Sequence, residues 1–188
     1  DYASTKTSQE VIFDMWNGVL SSSSDYGRLR IELTGTVDSS TSPTFLLTAM
    51  SGTNGFYQEA IGSGSITTST VANNTWKHYS ITFKNDSGEI NSKIYEDGSL
   101  KDSILTGSSF NRVYPVSGTT AHIGALRTAP SGTAELGGLA TSGYGKLSGS
   151  IDEFRYWKTE RTSKQIGRHW FTQVAGGTNT DKSNTDLG

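Results

Sequence analysis

The stretch that most constrains this chain lies near its end: Gly145-Lys146-Leu147-Ser148-Gly149-Ser150-Ile151-Asp152-Glu153-Phe154-Arg155-Tyr156-Trp157. From Lys146 to Trp157 it alternates as a strand does, and Phe154, Tyr156 and Trp157 are large residues that a sheet buries. Directly after it, Thr162-Ser163-Lys164-Gln165 has the S/T-x-x-E/Q form of a helix capping box. Ile166, Trp170 and Val174 then recur every four residues, which places them on one helical face. A late strand handing over to one short helix is the expectation.

Upstream, the chain reads as strands cut by turns. Val11, Phe13 and Met15 alternate against Ile12 and Trp16, apolar on both sides, so Gln9 to Trp16 reads as a strand covered on both faces. Arg28 to Leu33 alternates strictly, which predicts Leu29, Ile31 and Leu33 inward and Arg28, Arg30 and Glu32 toward water. Thr44–Met50 and Phe56–Ile61 read as strands joined at Gly52-Thr53-Asn54-Gly55. Trp76–Lys84, Lys93–Glu96 and Ser99–Ile104 follow, with Asp97-Gly98 as the strongest hairpin turn, and Ala121–Leu126 is a short strand. Arg127 to Gly145 has no period, and a loop of that length in a compact domain is functional or mobile. Turn signals every 8–12 residues predict about ten to twelve short strands in a two-sheet antiparallel sandwich. Residues 1–175 form that domain, and 176–188, polar and without period, form a linker or tail.

Composition agrees. Apolar residues make up 32% of the 188, and Ser plus Thr roughly a quarter, but 10% aromatics and a net charge of −2 argue against disorder. The near-neutral balance gives no electrostatic basis for nucleic acid or for an anionic membrane. No apolar run approaches the ~20 residues that a membrane helix needs. Cysteine is absent, which excludes disulfides and thiolate metal sites, and the Ser, Thr and Gly content suits a bacterial or viral surface protein.

The Gly149-Ser150-Ile151-Asp152-Glu153-Phe154-Arg155-Tyr156 strand with its capped helix resembles the closing segment of laminin G-like domains. Three further blocks are similar to that family and stand in its order: Thr75-Trp76-Lys77-His78-Tyr79-Ser80-Ile81-Thr82-Phe83, Ser92-Lys93-Ile94-Tyr95-Glu96-Asp97-Gly98 and Ala121-His122-Ile123-Gly124. The resemblance, to the concanavalin A-like lectin and glucanase superfamily, implies a jelly roll with one short C-terminal helix. Such modules occur in phage virion and bacterial surface proteins, so it also implies an extracellular or virion location and further domains in the parent chain. Fold alone does not fix activity, because the family includes lectins, glycosidases, adhesins and spacers.

Relatives of this fold cleave glycosides with an E-x-D-x-x-E strand, which sets paired carboxylates on one face. The nearest approach is Glu10-Val11-Ile12-Phe13-Asp14, which lacks the middle acid, and Asp152-Glu153 are adjacent and point to opposite faces of a strand. No catalytic residue is assigned, and a glycoside hydrolase or lyase ranks third among the readings. Calcium is implied by relatives that hold it at the sandwich rim, and Asp86 and Asp97 are its candidate ligands here. An EF-hand is excluded: with Gly88 at the obligatory glycine, Phe83 and Ile94 occupy ligand positions. Asp97 also suits the conformation of its turn. His78, His122 and His169 are too scattered for zinc and read as packing or surface residues, and Trp157 and Trp170 as strand and helix core. Tyr144, Tyr114 and Tyr57 are the loop aromatics assigned to glycan stacking. The leading expectation is therefore a non-enzymatic carbohydrate-binding or adhesion module. Its alternative is a structural spacer contacting neighbouring subunits; a groove lined by aromatics and amides favours the first, a large flat apolar patch the second.

Overall fold

The computed structural model of the chain describes residues 10–20, 23–33, 45–62, 64–66, 71, 75–114, 118–126, 145–147 and 149–171. Among them lie eight strands: β1 (Glu10–Trp16), β2 (Gly27–Leu33), β3 (Phe45–Ser51), β4 (Asn54–Ile61), β5 (Tyr79–Asp86), β6 (Glu89–Glu96), β7 (Ser99–Thr106) and β8 (Thr120–Ile123). One helix, α1 (Ser163–His169), follows. Sheet A has the order β4-β3-β2-β1-β8 and sheet B the order β5-β6-β7, with every pairing antiparallel. The chain is an all-β sandwich of two antiparallel sheets with one short helix.

Local chemistry fixes the hairpins. Ser87-Gly88 and Asp97-Gly98 both take positive φ at both positions, as a two-residue turn of the I′ type requires. That twist matches the flanking strands, so β5, β6 and β7 form a continuous meander. Phe45, Leu47, Ile61, Ile90 and Ile94 then fill the space between the sheets, with Leu29, Ile31, Ile81 and Phe83 packed against them. The sandwich closes along β4 and β7, where the Gly62 N–H donates to Asp102 Oδ2 at 2.8 Å and the Gly55 N–H to Ser108 Oγ at 3.1 Å.

Helix α1 carries the expected capping box. Thr162 Oγ1 accepts from the Gln165 N–H at 3.2 Å, and Gln165 Oε1 accepts from the Thr162 N–H at 3.0 Å. Its Ile166 is buried, and the side chain of Trp170 lies over the β6–β7 turn, so close that a Cβ on Gly98 would sit 2.2 Å from Trp170 Cδ1. Glycine is required there by contact as well as by φ.

Two expectations are corrected. Lys146 to Trp157 is not a strand: its described residues join neither sheet, and Ile151, Phe154 and Tyr156 are exposed. Glu153 takes φ +52°, and its N–H is held by Asp152 Oδ1 at 2.8 Å, so the extended run is broken at its middle. The second concerns β2, whose Arg28, Arg30 and Glu32 do not face water. They are 2%, 0% and 0% exposed, so sheet A is covered on both sides. Strand β8 also ends earlier than expected, at Ile123, because Gly124 turns the chain with φ +75°.

Candidate functional site

Away from the β4–β7 seam the sandwich is open. A crevice of about 900 Å³ runs between the inner faces of the sheets. Its floor is Phe13, Leu29, Ile31 and Phe45 from sheet A and Ile81 and Phe83 from sheet B. The segment 149–161 also lines it, with Phe154, Tyr156 and Trp157, and so does Trp76. Phe154 and Tyr156 are two residues apart in a locally extended stretch and both stack on the buried ring of Phe13, with centroids at 5.3 and 6.0 Å. Trp76 and Tyr156 remain 72% and 53% exposed. The face of Trp157 is already occupied, since the Arg161 guanidinium lies 3.9 Å from its centroid.

Polar groups interleave with these rings. Asn85, Asn111, Gln165, Asp152 and Glu153 line the crevice, and Arg155 Nη2 pairs with Glu153 Oε2 at 3.3 Å. His78 also lines it; burial, and then the charge of Arg155, holds its pKa below the usual imidazole value. The arrangement is a groove of aromatics, amides and a few charges.

The opposite face of sheet A is different. Thr48, Arg30, Asp14 and His122 stand directly opposite one another across β3, β2, β1 and β8. Arg28 donates to Asp14 twice, Nε to Oδ1 at 2.7 Å and Nη2 to Oδ2 at 3.1 Å. Arg30 Nε pairs with Glu32 Oε2 at 3.0 Å, and Arg30 Nη2 donates to the Tyr57 hydroxyl at 3.3 Å. Arg28 lies 5.1 Å from the Trp16 ring centroid and Arg30 5.8 Å from that of Tyr57. Two cations and two carboxylates balance. Burial opposes the charge on Arg28, but the Asp14 hydrogen bond and charge outweigh it and raise its pKa; burial dominates at Glu32 and raises the carboxyl. Burial raises the pKa of the Tyr26 hydroxyl, against the pull of the Arg28 guanidinium beside it, and Arg28 Nη1 and Glu32 Oε1 are buried without a close hydrogen-bond partner. Each such group costs about 1–3 kcal/mol.

The sequence-assigned residues scatter. Tyr57 belongs to this charged face, and Tyr114 is exposed at a rim where its carbonyl accepts from Asn17 Nδ2 at 2.8 Å; neither lines the crevice. Tyr144 lies outside the described residues. Asp86 and Asp97 sit at opposite ends of the β5–β6 ladder and so cannot share one ion. Asp97 accepts from the His78 N–H and from Lys77 Nζ, both at 3.0 Å, while Asp86 Oδ1 accepts from Ser87 Oγ at 3.0 Å. Among the described residues no group of three His, Asp or Glu is placed to hold a metal. Glu10 and Asp14 are also parted: the bulge between Val11 and Phe13 sets Glu10 opposite Leu33 and Asp14 opposite Arg30, and those two alternate onto different faces of β2.

Sequence reasoning placed Phe154 and Tyr156 in a core strand and took Arg28, Arg30 and Glu32 for solvated charges. The signal for the charged face was there, since Tyr26, Arg28, Arg30 and Glu32 share one parity, but alternation does not say which face is covered. No helix among the described residues is long and apolar enough to cross a membrane. Compared with protein-family models, curated proteins and solved structures, the chain matches none.

Proposed function

We propose that this chain is a non-enzymatic carbohydrate-binding module of laminin G-like type, one part of a larger extracellular or virion protein. The observation that carries the reading is the open crevice, lined by the part-exposed rings of Trp76, Phe154 and Tyr156 together with the amides of Asn85, Asn111 and Gln165. Sugar rings offer apolar faces to aromatic side chains and hydroxyls to amides, so this mixture suits a glycan chain better than a purely apolar ligand. The rings are held rather than floppy: Phe154 and Tyr156 rest on Phe13, which belongs to a paired strand.

The test is a glycan-array screen of the folded protein, run with calcium and again with EDTA, followed by Trp76→Ala and Tyr156→Ala. Binding that falls about tenfold in each variant is expected, in line with the ~1.4 kcal/mol of one good stacking contact. Binding lost in EDTA adds a calcium ion to the site. Folded protein that binds no glycan in either condition overturns this reading. A structural module pressed against neighbouring subunits then takes its place, favoured by the exposure of Trp76, Tyr156 and Phe171.

A further inference from the structure

We infer that Asn54 is a modification site, where the side-chain amide is lost through a succinimide formed with Gly55 and the Ser108 hydroxyl relays the proton. The site lies at the β4–β7 seam, and none of the three residues lines the crevice. The chain has two Asn-Gly pairs, Asn17-Gly18 and Asn54-Gly55. In such a pair the backbone nitrogen of the glycine can attack the side-chain carbonyl carbon of the asparagine, because no Cβ obstructs the approach. The fold treats the two pairs differently. Asn17 is 5% exposed, its Nδ2 donates to the Asp25 and Tyr114 carbonyls at 2.7 and 2.8 Å, and its Oδ1 accepts from the Val19 N–H at 3.1 Å. That amide is tied at both ends.

Asn54 is exposed at the start of β4, open to the water that completes the reaction. Ser108 Oγ donates to its Oδ1 at 3.3 Å and accepts from the Gly55 N–H at 3.1 Å. One hydroxyl therefore joins the attacking nitrogen to the carbonyl under attack. Ser108 is itself held in place, since its own N–H donates to the Gly55 carbonyl at 3.3 Å. An acceptor on the nucleophile and a donor on the developing oxyanion are the two aids such a step needs. As the Gly55 nitrogen bonds to Asn54 Cγ, it gives its proton to Ser108 Oγ, and Ser108 passes its own proton to Oδ1. That proton moves on to Nδ2, the Cγ–Nδ2 bond breaks, and ammonia leaves a succinimide. A water molecule opens the ring to aspartate or isoaspartate. The product places a negative charge at the seam and, in the isoaspartyl form, an extra methylene in the backbone of β4.

The whole folded chain, incubated at neutral pH and followed by peptide mass spectrometry with isoaspartate detection, tests this. Asn54 is expected to convert at least about tenfold faster than Asn17, and Ser108→Ala to slow Asn54 about tenfold, whereas Ser108→Thr, which keeps the hydroxyl, leaves the rate near its original value. No conversion at Asn54, conversion at Asn17 as fast as at Asn54, or a rate at Asn54 that Ser108→Ala leaves unchanged or raises overturns the inference. Should Ser108→Ala not fold, the unaltered chain unfolded in urea decides. Unfolding removes the relay from Asn54 and the hydrogen bonds from Asn17, so Asn54 is expected to slow and Asn17 to speed up. Conversion of Asn54 in urea as fast as in the folded chain, or faster, overturns the inference.

Discussion

Arg28 and Asp14 meet in a two-pronged ion pair within sheet A, Nε to Oδ1 at 2.7 Å and Nη2 to Oδ2 at 3.1 Å, with both side chains only 2% exposed. The pair runs diagonally, since Arg28 stands opposite Trp16 and Asp14 opposite Arg30. Removing one member of a buried pair strands the other charge, so Asp14→Ala is expected to lose about 3–5 kcal/mol in urea unfolding. Replacing both, Asp14→Leu with Arg28→Met, is expected to recover most of that loss. A double variant as unstable as the single one would show that the pair holds the sheet together by more than mutual neutralisation.

His78 makes stability depend on pH. Its folded pKa lies below 6.5, chiefly through burial and then through the Arg155 charge. The unfolded chain therefore takes up this proton first as pH falls, which favours unfolding. Stability from this group is intact above pH 6.5 and declines as pH drops from there toward the depressed folded value. His78→Gln is expected to flatten that slope in urea titrations at a series of pH values from 7.5 down to 5.

The parts of the fold written in the sequence are those with local causes. Asp97-Gly98 specifies its hairpin by backbone conformation alone, and Thr162 and Gln165 cap their helix reciprocally, so both are legible without any partner. The crevice and the charged face depend on what lies opposite. Arg28, Arg30 and Glu32 alternate just as solvated residues would, and only the three-dimensional arrangement shows that their face is covered. Phe154 and Tyr156 carry a strand's alternation, yet the left-handed Glu153 diverts them onto Phe13. The Glu10–Asp14 spacing is likewise undone by one bulge, whose position no period announces.

Thr162→Ala removes the acceptor for the Gln165 N–H and also unseats the reciprocal bond from Gln165. A loss of about 1 kcal/mol is expected from equilibrium unfolding. Thr162→Asp keeps an acceptor at that position and is expected to restore the stability.

Gly98 is the point at which α1 meets sheet B. A Cβ there would lie 2.2 Å from Trp170 Cδ1 and 3.1 Å from the Gly167 Cα, at a backbone φ of +77°. Gly98→Ala is expected to cost about 1–3 kcal/mol, with strain and overpacking acting together. Trp170 must shift, so its fluorescence maximum is expected to move to the red. An unchanged spectrum with lower stability would place the damage in the turn alone.

Phe13 joins the core to the proposed glycan site, because its ring is buried in β1 while its face carries both Phe154 and Tyr156. Phe13→Ala removes that platform and is expected to destabilise the fold by about 3–5 kcal/mol, which confounds any binding assay. Phe13→Leu separates the two effects, since it keeps most of the buried volume but gives Phe154 and Tyr156 no ring to stack on. The expected result is a small change in unfolding midpoint with several-fold weaker glycan binding. Normal binding by Phe13→Leu would mean that Phe154 and Tyr156 are held in place without the stack, and Trp76 would then be the ring to which the glycan contact is assigned.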